Sequence, residues 1–301
     1  MRRAAGVGLI VLWAGLAPAA AKEKPFPLST SLDEASRTFV RASGLTALPG
    51  IHKAALASFQ LEFVVETRAQ DLVPSRANEM ARLSGVAPEA FVRITDRFHG
   101  ELVAALKGLG IEVMPDDDIR EAKAWGEFRP ALRPAPTTLS APDHTSLFHA
   151  SEDMPLYFMN TDRRAGRFPR ILPTYEVSLA KELGVPLARS RMVIDITAFT
   201  GGGKDKGAVT IRGGASSLIF VLPGGRSVEV ILAKNVNAAA ATFEVPRVDP
   251  SFWSSSPSSF YSANPAPARA IRAATDVYEK AVNDHLDAVL SMFVSRMKRK
   301  Q

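Results

Sequence analysis

A glycine run ending in lysine can cradle phosphate, because backbone N–H groups hold the oxygens while the ammonium neutralises them. Gly201-Gly202-Gly203-Lys204 has that look. The motif also needs an earlier glycine, where Ala198 stands, and a hydroxyl after the lysine, where Asp205 stands. The run therefore reads as a hairpin turn. Ser178 and Lys181 sit one helical turn apart, the spacing with which penicillin-recognising enzymes pass a serine proton to a lysine. Ser262-Ala263-Asn264 mimics the second motif of those enzymes. Their third motif, Lys-Thr-Gly or Lys-Ser-Gly, does not follow Asn264, so no nucleophile is assigned.

Metal binding requires imidazoles and carboxylates in clusters. Asp96 and His99 form one pair and are expected to face solvent. His144 and His149, in a Pro-rich stretch, are the best remaining candidates, whereas His52 and His285 stand alone. Neither pair is dense enough to assign a metal. Asp116-Asp117-Asp118 offers acids for paired-carboxylate hydrolysis. A helix start, where acids complement the positive end of the dipole, accounts for them more simply. No catalytic residue, metal or cofactor is assigned, and the enzyme question leans towards no.

Two stretches suggest binding instead. A Ser/Pro-rich loop over residues 249–267 carries Phe252, Trp253, Phe260 and Tyr261, and aromatics exposed there would make a contact surface. The chain closes on a basic run with Arg296, Lys298, Arg299 and Lys300. These cations suit a helix C-terminus or an acidic partner. The formal charge of +6, two units of it from Arg2 and Arg3, is too small and dispersed to argue for nucleic acid.

Those first arginines belong to another pattern. They precede an uncharged apolar stretch, residues 4–16, which is followed by Pro18 and Ala19-Ala20-Ala21. Positive start, apolar middle and small-residue end describe a cleaved secretory signal, with cleavage expected after Ala21. The apolar stretch is shorter than the ~20 residues of a span, so no transmembrane span is expected after cleavage. There is no cysteine, hence no disulfide framework and no lipid-modified N-terminus. The expected location is the bacterial periplasm or the medium, with residues 22–301 as a single exported domain.

The elements that would position these residues can be read from periodicity. Residues 29–42 predict a first helix capped by Ser31 or Asp33. Residues 55–67, where Phe59, Leu61, Phe63 and Val65 alternate with polar neighbours, predict a strand. Residues 68–87, polar and punctuated by Gly and Pro, read as loop with room for a short helix. Residues 88–109 form the clearest helix, with Phe91, Ile94, Phe98, Leu102, Leu106 and Leu109 on one stripe. A short strand over 111–114 and a helix from 116 to about 125 follow. Residues 128–151 read as a Pro-rich irregular crossing. Another short strand, a helix over 173–183 ending at Gly184, and long strands over 190–199, 207–222 and 227–243 come next. Residues 268–300 predict one long amphipathic helix. The fold class is α/β: a mixed, largely antiparallel sheet flanked by helices, with that long helix at the C-terminus.

Ile94 to Phe98 and Leu109-Gly110-Ile111-Glu112-Val113-Met114-Pro115 make a helix-Gly-strand module. Leu179 to Val185, then Met192 to Thr197, make a second one. This element order resembles the CsgG-like periplasmic proteins and the related TolB N-terminal domain. The resemblance implies a non-enzymatic role in envelope assembly, acting through a protein partner. The reading is thus an exported binding or assembly factor of the cell envelope, with oligomeric state open. The alternative is an exported hydrolase or small-ligand binder whose site is built from residues far apart in sequence.

Overall fold

The computed structural model describes residues 26, 31–68, 80–141, 143–151, 154–159, 171–197, 208–238 and 268–298. Residues 1–25, Gly201 to Lys204, the stretch 249–267 with Phe252, Trp253, Phe260 and Tyr261, and Arg299 and Lys300 lie outside the described residues. In chain order the elements are α1 (Leu32–Phe39), β1 (Val40–Ser43), β2 (Lys53–Arg68), β3 (Met80–Ser84), α2 (Pro88–Gly108) and β4 (Glu112–Val113). Next come α3 (Asp116–Glu121), β5 (Thr137–Ser140), β6 (His144–His149), α4 (Pro173–Leu183) and β7 (Leu187–Thr197). The chain continues through β8 (Ala208–Ile211), β9 (Ser217–Val221), β10 (Ser227–Leu232), β11 (Val236–Asn237), β12 (Ala268–Arg272) and α5 (Thr275–Lys298).

β2 is the hub of the sheet. It pairs antiparallel with β3 and β6 and parallel with β4 and β7. The main strand order is β1-β10-β9-β7-β2-β3-β12. Besides the two parallel pairings of β2, only β3 with β12 runs parallel among the described strands. The architecture is the expected α/β one, a mixed and mostly antiparallel sheet with a long closing helix.

Alternation along β2 divides its residues between two layers. Phe59, Leu61 and Phe63 enter the larger core, which receives the apolar stripes of α2 and α5. Phe98, Leu102, Leu106, Val282, Leu286 and Phe293 are all buried there. Ala55 and Ala57 enter a second core with Leu179 and Ala180 of α4, Trp125, Phe128 and Tyr157. The polar residues of the strand are covered as well: Gln60 donates to the Tyr157 carbonyl, and Glu62 is wholly buried.

Several expectations change. Among the described residues, the strand read over 227–243 is two short ones, β10 and β11, and the helix begun at residue 116 ends at Glu121. α1 stops at Phe39, because β1 is drawn into antiparallel pairing with β10. The stretch read as loop after residue 67 contains β3. The Pro-rich crossing folds into the β5–β6 hairpin, which joins the sheet through β6 and β2. Pro134 and Pro136 precede β5, so they remove no ladder donor from it. The strand read over 207–222 is two, β8 and β9, separated at Gly213 and Gly214. A Cβ at Gly213 would lie 2.6 Å from the Lys234 carbonyl carbon, and Gly214 has φ +73°. Finally, residues 268–272 form β12 rather than the first turns of α5.

Among the described residues, no helix is long and apolar enough to cross a membrane.

Candidate functional site

α2 is long, and it is bound to α5 by surface ion pairs, Arg93 with Glu279 at 2.6 Å and Arg97 with Asp287 at 2.5 Å. Its buried stripe fixes the rotation of the helix, and that rotation puts Asp96 on the stripe's edge. Asp96 and His99 therefore do not face open solvent together. His99 lies half-buried with its ring 5.0 Å from that of Phe59, edge to face. Asp96 meets the segment leaving β6, where the Ser151 hydroxyl donates to its Oδ1 at 3.1 Å.

β6 buries His144, Ser146 and Phe148 on one face and half-buries Thr145 and Leu147 on the other, where its last residue, His149, turns towards α2. The imidazole stacks on Phe91 at 6.0 Å and meets the edge of Phe63 at 5.8 Å. Burial holds its pKa below the ordinary 6.5, against a smaller opposing pull from Asp96. His149 is thus neutral near pH 7. Asp96, His149 and Ser151 line a half-open cleft of about 500 Å³, closed on the other side by residues 132–136 and by Met154 and Pro155. Arg133 also borders it, but its Nη1 is turned onto the carbonyls of Leu132 at 2.6 Å and Pro130 at 3.4 Å. Asp116 stands on the neighbouring side of Met154 and Pro155, and burial raises its carboxyl pKa in spite of Arg120.

This constellation does not prepare a serine for attack. A nucleophile needs a base within hydrogen-bond reach that is itself oriented by a third group. Here the Ser151 hydroxyl is spent on the carboxylate, and neither ring nitrogen of His149 has a hydrogen-bond partner among the described residues. The arrangement offers recognition: a carboxylate, a neutral imidazole and a hydroxyl set among apolar walls.

The metal candidates separate. His144 and His149 occupy opposite faces of β6. His144 pairs with Asp143 at 2.7 Å and stands 3.9 Å from Glu62, away from the aromatic pocket of His149. His285 satisfies its Nδ1 on the Ala281 carbonyl at 2.7 Å, inside its own helix. Among the described residues no group of three or more such side chains could hold a metal. Ser178 and Lys181 are exposed on α4, and the acids at 116–118 open α3 as expected, although Pro115 occupies the cap position.

The buried charges on the sheet's second face are structural pairs. Glu62 accepts from Arg191 at 2.6 Å and from Ser146 at 2.8 Å. Glu176 accepts from Arg189 at 2.9 Å and from the Tyr157 hydroxyl at 3.1 Å. Asp195 is held by Arg212. Burial raises the Glu176 carboxyl pKa, and Arg189 and Tyr157 offset this only in part.

A second, more open depression of about 610 Å³ lies between α1, α2 and α5. Leu32, 47% exposed, borders it with Leu290, Val294 and Lys298. Of the basic run, Lys298 is exposed, whereas Arg296 is half-buried and its Nε has no hydrogen-bond partner.

No protein-family model, curated protein or solved structure matches the chain.

Sequence reasoning missed the cleft because its polar residues come from different elements. Asp96 and Ser151 are 55 positions apart. The available signal was the α2 stripe itself, which places Asp96 one position from buried Thr95 and so at the margin of the covered face.

Proposed function

We propose that the chain is an exported, non-enzymatic binding protein of the bacterial cell envelope that holds a small ligand in the cleft between α2 and residues 132–136. The observation that carries this reading is Asp96. It is a carboxylate on the cleft wall with a serine donor but, among the described residues, no Lys or Arg partner. A buried neutral imidazole lines the same cleft. Pockets of this size, mostly apolar with a few convergent polar groups, are the usual form of small-molecule sites. The signal-like N-terminus supports export, and the resemblance in element order to CsgG-like proteins supports an envelope role.

The assembly-factor form of this reading draws support from the α1/α2/α5 depression, whose exposed Leu32 and apolar floor suit an amphipathic helix of a partner.

The test is a thermal-shift screen of small molecules on the mature chain and on Val92→Trp. Val92 is 47% exposed on α2 and lines the cleft, so the indole fills the cleft while the core stays intact. Compounds that stabilise the parent and lose their effect on Val92→Trp support the cleft reading. Compounds that act equally on both, or a screen without any stabiliser, overturn it. A stoichiometric envelope partner, crosslinked in cells from position 32 and lost with Leu32→Asp, would then support the assembly form.

A further inference from the structure

We infer that the cleft takes a small, largely apolar ligand bearing a primary ammonium group; this rests on the cleft being the ligand site. The charge balance of the lining comes first. Asp96 brings a carboxylate with two acceptor oxygens, and the described residues supply only one hydrogen bond to it, from Ser151. An ionised carboxylate offers about four acceptor positions, so most remain available to a ligand. Arg133, the lining cation, has Nη1 committed to two carbonyls of its own segment.

The other polar groups agree with a donor-rich ligand head. His149 is nearly buried, and its nitrogens have no hydrogen-bond partner among the described residues. Held neutral, the ring carries a lone pair that accepts a proton donor. The Ser151 oxygen, having given its proton to Asp96, keeps lone pairs of its own. Three N–H donors of an ammonium match a carboxylate, an imidazole nitrogen and a hydroxyl oxygen. A carboxylate ligand would instead place like charge against Asp96 in a partly dry cleft, where Arg133 is the one cation among the described lining residues and turns its Nη1 to its own segment. Val92, Leu132, Ala135, Met154 and Pro155 leave apolar surface for the remainder of the molecule.

The experiment is a ligand-observed NMR titration of the mature chain with three probes of one shape: hexylamine, hexan-1-ol and hexanoate. Parallel titrations use Asp96→Asn and Val92→Trp. Asp96 is half-exposed, so the amide substitution leaves the core untouched. Hexylamine is expected to bind roughly tenfold or more tightly than the alcohol, the scale of one charge-assisted hydrogen bond. Asp96→Asn should bring amine and alcohol level, and Val92→Trp should weaken both. Hexanoate binding as well as hexylamine, or an amine preference that survives Asp96→Asn, overturns the inference. Equal binding of all three probes, lost in Val92→Trp, overturns the ammonium class but keeps the cleft as a site. Binding by none of them overturns both.

Discussion

His149 ties stability to pH through its surroundings, and in the proposed reading it also helps to recognise the ligand. Its ring is packed against Phe63 of β2 and Phe91 of α2, and Asp96 of α2 is the charged group that opposes the effect of burial. Burial wins, so the folded-state pKa lies below the unfolded value of 6.5. In the window beneath 6.5 the unfolded chain then binds more protons than the folded one. The stabilisation is complete above 6.5 and is lost as pH falls through that window. Urea unfolding at about pH 7.5 and about pH 5.5 should show a larger fall in stability for the parent than for His149→Gln. An identical fall in both proteins would mean that the imidazole is not held neutral by the fold. His149 could be named as a metal candidate from its spacing to His144. Its actual neighbours could not be read, since Phe63, Phe91 and Asp96 lie tens of positions away in sequence.

At the scale of elements, α2 and α4 were legible because each carries its own instructions. Pro88 and Pro173 occupy first turns, the apolar stripes repeat at helical spacing, and Gly184 ends α4 in the left-handed conformation at φ +68°. The strands misread as loop or helix lack such autonomy. β12 was read as helix because Ile271 and Ala274 extend the stripe of α5. Its extended form exists only because β3 offers a parallel partner from Met80 to Ser84. β5 and β6 were hidden by prolines that flank the hairpin strands without interrupting them. The stripe of α2 also makes a quantitative prediction. Phe98, wholly buried against Phe59, should cost about 3–5 kcal/mol when changed to Ala. Val92 on the exposed flank should cost within about 0.5 kcal/mol, while weakening any ligand of the cleft. Similar losses at both positions in urea titrations would mean that the helix is rotated from its described setting.

Over the whole molecule the two ends of the chain are interlocked. β1, near the start, pairs with β10, and β12, near the end, pairs with β3. β2 draws β4, β6 and β7 from three different stretches. A fragment of residues 31–141 would leave β1 and β2 without β10 and β7, and one of residues 171–298 would leave β7 and α5 without β2 and α2. Neither fragment should unfold cooperatively alone, whereas residues 22–301 together should show a single transition by circular dichroism and by tryptophan fluorescence. A cooperative transition in either fragment would reveal an autonomous half. Composition and periodicity by themselves determined the α/β class, the helices with complete stripes, the strand nature of β2 and the signal-like N-terminus. These are local properties, encoded by neighbours three or four positions apart in a helix and two apart in a strand. Only the tertiary structure decided that the 128–151 stretch joins the sheet, that Glu62 is buried with Arg191, and that Asp96, His149 and Ser151 line one cleft. Each of these is a pairing across the chain, and the free energy that selects it comes from burial and desolvation, which no local window contains.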